Sequence, residues 1–161
     1  MESPKAHLID ITLDQKSLLK RSPQVEHERK VAILDLLAFN SFALSGEVSH
    51  PGPFKLTLGL QDNRRLMLDI TDENDQPLDT IQLSLLPFRR IVKDYFTLCE
   101  SYFDAVKTMT KAQIETIDMA RRGMHNEGAE ILENALENRV SLDQQTARRL
   151  FTLIAVLHIT G

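Results

Sequence analysis

The residues best suited to chemistry in this chain are its arginines. Eight of the eleven stand in adjacent pairs: Arg64-Arg65, Arg89-Arg90, Arg121-Arg122 and Arg148-Arg149. A guanidinium presents a fixed fork of donors that matches a phosphate or carboxylate bidentately. Neighbouring helical residues diverge by about 100°, so each helical pair can send one guanidinium into a shared pocket and one elsewhere. Arg64-Arg65 follows Asp62-Asn63 at a hairpin turn and reads as solvated. The candidate anion ligands are therefore Arg89, Arg90, Arg121, Arg122, Arg148 and Arg149, all on helical segments. Arg89-Arg90 is the least expected pair, because it falls in the first turn after Pro87. There the helix dipole disfavours cations, while unpaired backbone N–H groups attract anions. The alternative is that Arg90 pairs with Asp94 one turn on, or that both stems cover the sheet.

A second group lies in Ala120–Leu132, "ARRGMHNEGAEIL", where His125 and Glu127 join Arg121 and Arg122. A histidine beside an anion clamp could serve as general acid or base. A polar helix face, with Asp118 and Arg122 paired at i, i+4, accounts for the same residues without chemistry. His27 and Glu28 are further catalytic candidates; they resemble the start of a zinc protease helix. The second histidine of that motif is replaced by Val31, and the five histidines show no ligand spacing, so no metal is expected. Cys99 lies within an apolar stripe and reads as an inert core thiol. No phosphate-cradling glycine loop, nucleophile elbow or dinucleotide fingerprint occurs, so no cofactor is expected.

These residues need elements to hold them. "HLIDITL" reads as a strand with Ile9, Ile11 and Leu13 on one face. Ser22 and Pro23 then open a helix of about four turns. Its apolar face is Val25, Ala32, Ile33, Leu36, Leu37 and Phe39. A meander follows. Phe42, Leu44 and Val48 alternate, then Phe54 to Leu60, Leu66 to Ile70 and Ile81 to Leu85, separated by "SHPGPF", "QDNRR" and "DENDQP". A sheet with one apolar face needs a lid. The lid is a helix from Pro87 with the stripe Val92, Phe96, Cys99, Phe103 and Val106, a long helix around residues 114–135, and a last helix capped by Ser141 and Gln144. In the long helix the stripe Ile114, Ile117, Arg121, Met124, Gly128, Ile131 and Ala135 keeps phase through both glycines. One continuous helix is favoured, with a break at Gly123 and Asn126 capping a second helix as the rival, since each interior glycine costs about 0.8–1 kcal/mol relative to alanine. Gly128 sits on the stripe, where a missing side chain lets another helix approach. The last helix is apolar nearly all round, which suits central burial or a homodimer interface.

The fold class is thus α+β: an antiparallel β-meander of three to five strands covered by one N-terminal and three C-terminal helices. The organisation is a single domain over 1–161, with strand and helix at 7–39, meander at 40–86 and helical part at 87–161. The 161 residues carry a net charge of -4, with pI about 5.7. This argues against a dedicated nucleic-acid binder. One cysteine excludes an internal disulfide and suits a reducing compartment. No basic segment followed by an apolar run opens the sequence, and no apolar stretch nears the ~20 residues of a membrane span. A cytoplasmic protein without membrane association is expected.

The segments "PFRRIVKDYFTLCESYFDA", "ARRGMHNEGAEIL", "TARRLFTLIAVLH" and "SPQVEHER" resemble the bacterial uncharacterised protein family UPF0262. The resemblance extends over nearly the whole chain. It implies a small, single-domain cytosolic bacterial protein and implies no activity or catalytic residue. Three readings follow from the residues. The first is a non-enzymatic binding or regulatory module whose arginines hold a small phosphorylated or carboxylated molecule, or an acidic partner segment. The second is a small hydrolase or transferase acting on a phosphorylated substrate through His125 and Glu127. The third is a homodimeric interaction protein.

Overall fold

The computed structural model describes residues 6–14, 23–62 and 64–160. The elements run β1 (Leu8–Leu13), α1 (Pro23–Ala38), β2 (Phe42–Leu44), β3 (Phe54–Gln61), β4 (Arg65–Thr71), β5 (Pro77–Ser84), α2 (Arg89–Ala105), α3 (Lys111–Ala135), β6 (Val140–Leu142) and α4 (Gln144–Thr160). The fold is α+β. Alternation over residues 54–85 produces the antiparallel strands β3, β4 and β5. Their register stacks Leu56 on Ile70, Leu58 on Leu68, and Leu68 on Ile81. Such apolar cross-strand pairs on one face are the unit of sheet stability.

Two strands depart from the expected meander. β1 joins the sheet parallel to β3, giving the order β1-β3-β4-β5. A bulge between Leu8 and Asp10 re-aims its side chains. Leu8, Ile11 and Leu13 are buried, while Ile9 turns outward and is 40% exposed. β2 leaves the sheet and pairs antiparallel with β6, Phe42 opposite Leu142 and Leu44 opposite Val140. Val48 lies beyond β2 and belongs to no strand. Asn40 locks the start of the fold. Its side-chain oxygen accepts from the Leu8 N–H at 2.6 Å, and its amide donates to the carbonyls of Leu8 and Leu36. One side chain thereby closes the end of α1 and pins β1 beside it.

Pro23 opens α1; Ser22 lies outside the described residues. Val25, Ala32 and Leu36 face inward as expected, but Leu37 is 39% exposed and Phe39 is 83% exposed. Phe39 follows the last helical residue, so the 3.6-residue repeat no longer dictates its direction. α3 is continuous through Gly123 and Gly128, and opens with a capping box between Thr110 and Gln113. The expected Ser141–Gln144 box is absent. Ser141 is taken up by pairing with Ala43, and Asp143 caps α4 instead, accepting from the Thr146 N–H at 2.8 Å.

α4 packs against α1, α2, α3 and β3. Residues 151–157 are all buried. Central burial within one chain thus accounts for a helix that is apolar all round. Among the described residues no helix is long and apolar enough to cross a membrane.

Candidate functional site

A cavity of about 220 Å³ opens where α1, α3 and α4 meet. Helical spacing supplies its walls. Glu28 and Asp35 are two turns apart on α1, Arg121 and His125 one turn apart on α3, and Arg148, Arg149 and Thr152 share one side of α4. Acidic side chains stand on the α1 wall and basic ones on the α4 wall. His125 and Arg121 lie between.

A hydrogen-bonded chain runs along the base. The Tyr95 hydroxyl donates to Glu28 Oε2 at 3.2 Å, and His125 Nε2 lies 2.9 Å from the same hydroxyl oxygen. A carboxylate only accepts, so the single Tyr95 proton points to Glu28. The Nε2 of His125 must then carry a hydrogen and donate to Tyr95. The Thr152 hydroxyl, 3.3 Å from Nε2, donates its own proton to the Arg148 carbonyl and is a second acceptor for that N–H. His125 is held neutral: burial, then the charges of Arg148 and Arg121, lower its pKa from 6.5 to about 4. A neutral ring with Nε2 protonated leaves Nδ1 as an acceptor. Burial, with Cys99 and Glu28 adding, raises the Tyr95 phenol well above its ordinary range. Burial also pushes the Cys99 thiol up to about 11, which removes it as a nucleophile at neutral pH.

Replacing Tyr95 with phenylalanine removes one partner from both Glu28 and His125. Arg121 and Thr152 remain to them, so the expected loss is at the low end, roughly 1 kcal/mol. Urea denaturation measures it; no loss, or a loss several times larger, would contradict this arrangement.

The three cavity arginines differ. Arg121 is neutralised: it bonds Asp118 at 3.1 Å and Glu28 at 3.4 Å, and its guanidinium lies 5.0 Å from the centre of the Tyr102 ring. Arg149 bonds the Gln145 carbonyl and side chain, and its Nε stands 3.9 Å from Asp35 Oδ2, too far for a hydrogen bond. Arg148 is half-buried and makes no ion pair among the described residues.

The structure therefore brings Arg121, Arg148, Arg149, His125 and Glu28 together. It leaves the other candidates outside this cavity. Arg122 is exposed and bonds Asp118 at 2.9 Å. Arg89 and Arg90 are exposed on α2, with Arg90 facing Asp94 at 3.9 Å. A 3-10 turn over Leu86–Phe88 leads into α2, and the N–H groups of Phe88 and Arg89 already bond the carbonyls of Leu85 and Leu86. The free donors expected there are partly consumed. His27 and Glu127 are exposed. Among the described residues no three His, Cys, Asp or Glu side chains converge to hold a metal. Sequence reasoning missed Asp35, Tyr95 and Thr152. Tyr95 did carry a signal, since a hydroxyl beside an apolar stripe must find a partner when buried.

The fold and site together define an α+β protein with an interhelical cavity that is acidic on one wall and basic on the other. The chain belongs to the Uncharacterised protein family (UPF0262), whose family model matches residues 5–160. It is 57% identical over 155 residues to a UPF0262 protein of Rhodospirillum rubrum, covering 96% of this chain and 94% of the relative. A UPF0262 protein of Dinoroseobacter shibae is 53% identical over 95% of this chain and 98% of its own. One of Ruegeria pomeroyi is 52% identical, with coverages of 94% and 95%. No solved structure matches.

Proposed function

We propose that the cavity between α1, α3 and α4 binds a small anion, and that the protein acts as a non-enzymatic binding or regulatory module. The observation that carries this reading is Arg148. It is a half-buried guanidinium on the cavity wall, next to Arg149 and a neutral histidine, with no counter-ion among the described residues. A partly desolvated cation without a partner is unfavourable alone and attracts an oxyanion. Arg149 stands beside it to complete a two-arginine clamp, whereas Arg89, Arg90 and Arg122 take no part.

The geometry favours binding over catalysis. Glu127 is exposed outside the cavity, and the protonated nitrogen of His125 is spent on Tyr95 and Thr152. Phosphate, sulfate or acetate is expected to raise the melting temperature in a saturable way. A ligand at a hundredfold excess over Kd stabilises by about 2.7 kcal/mol, which is about 5–10 °C for a chain of this size. Arg148→Ala is expected to remove the gain and Arg89→Ala to leave it intact. A gain unchanged in Arg148→Ala, or absent in the wild type at millimolar anion, overturns the reading.

A further inference from the structure

The cavity has a second charged wall that a simple anion would leave unused. We infer, resting on the reading of this cavity as an anion site, that its ligand is a small molecule carrying both an oxyanion and a primary ammonium. The oxyanion lies on Arg148 and Arg149, and the ammonium lies on Asp35. On α1 the two carboxylates are not equivalent. Glu28 already accepts from Tyr95 on one carboxylate oxygen and from Arg121 on the other, and Arg121 balances its charge. Among the described residues the Asp35 carboxylate has only a loose contact, with Arg149. It faces Arg149 at 3.9 Å with half its side chain open to solvent. Asp35 and Arg149 make only a loose contact at 3.9 Å, and both border the cavity, so each keeps hydrogen-bonding capacity for a ligand seated in it. Its ammonium would satisfy Asp35 while its oxyanion satisfies the arginines.

Charge balance narrows the class. Once Arg121 and Glu28 are set against each other, the walls present two guanidiniums against one carboxylate. The complement is one positive and two negative charges. An amine-bearing phosphomonoester supplies this, as does an amino dicarboxylic acid. Volume narrows it again. About 220 Å³ is below the ~300–1,000 Å³ of pockets for drug-sized ligands, so a skeleton of a few carbons fits. Val31 and Ala32 offer it a short apolar strip on α1.

Isothermal titration with matched pairs tests the inference: O-phosphoethanolamine against inorganic phosphate, and L-aspartate against succinate. The aminated member of at least one pair is expected to bind roughly two- to fivefold more tightly, the upper part of the range for an ion pair at a half-exposed carboxylate. Which pair shows the preference tells phosphate chemistry from dicarboxylate chemistry. Asp35→Asn is expected to erase the preference while retaining the unaminated anion, and Asp35→Glu to keep it. Equal or weaker binding of the aminated members, with phosphate or succinate still bound, overturns the zwitterion and leaves the anion site standing. Failure of all four to bind overturns both.

Discussion

Gly128→Ala is expected to destabilise the protein by roughly 1–3 kcal/mol, the range for overpacking a well-filled core. By helix propensity alone the change should stabilise, since alanine is favoured over glycine by about 0.8–1 kcal/mol in a helix interior. Packing reverses the sign. A Cβ at this position would lie 2.5 Å from Cε1 and Cγ of Phe151, and closer still to its Cδ1. That ring is fully buried and cannot simply swing away. It meets Tyr95 edge-on at 5.7 Å and His125 at 6.4 Å between centroids. The displacement therefore passes into Tyr95 and into His125, which lines the cavity, and anion binding should weaken along with stability. Gly123 is the internal control, because a Cβ there meets nothing within 4 Å. Gly123→Ala is expected to stabilise by about 0.8–1 kcal/mol. Chemical denaturation of the two variants settles the comparison. Equal shifts of the same sign would show that α3 and α4 are not in contact at Gly128.

The second large effect is on the pH dependence of stability. Between pH 6.5 and about 4 the unfolded chain binds a proton at His125 and the folded chain does not, so stability falls as pH drops through this window. The groups around the ring account for the direction. Arg121 and Asp118 lie on α3, Arg148 and Thr152 on α4, and Tyr95 on α2, with Glu28 of α1 behind it. Burial and the two arginines outweigh Asp118. The pKa difference corresponds to roughly 3 kcal/mol, and partial exposure of the ring reduces this to about 2 kcal/mol. Carboxylates titrate in the lower part of the same window, so the informative quantity is a difference between proteins. The wild type should lose roughly 2 kcal/mol more than His125→Gln on going from pH 7 to 4.5. Parallel curves for the two proteins would mean that His125 titrates normally in the fold.

What could be read from the residues followed from periodicity. Leu56, Leu58, Leu66, Leu68 and Ile81 alternate because β3, β4 and β5 bury one face, and those strands form as expected. The phase of α3 carried it through both glycines, and Gly128 proved to be where the Phe151 ring of α4 fills the space a side chain would take. Alternation names a face but not a neighbour. For that reason neither the parallel pairing of β1 nor the capture of β2 by β6, nearly a hundred residues away, could be seen in it. The cavity was half legible for a similar reason. Arg121, Arg148 and Arg149 stood out by composition, but their company did not. Glu28 was noticed for a metal motif, whereas the structure pairs it with Tyr95 and Arg121. Asp35, set among the apolar residues of α1, belongs to no motif that would single it out. At Arg89-Arg90 the 3-10 turn before the helix absorbs some of the backbone donors that the sequence left apparently free.

The cavity walls come from α1 and α4, more than a hundred residues apart, and the bond from the Ser41 N–H to Thr146 ties the same two regions together. A ribosome making this chain must therefore complete α4 before the cavity exists. Until the last helix emerges, the nascent sheet has no central cover for its greasy face, and loop closure of that span is entropically slow. A molecule bound in that cavity would stabilise completed chains and could not guide incomplete ones.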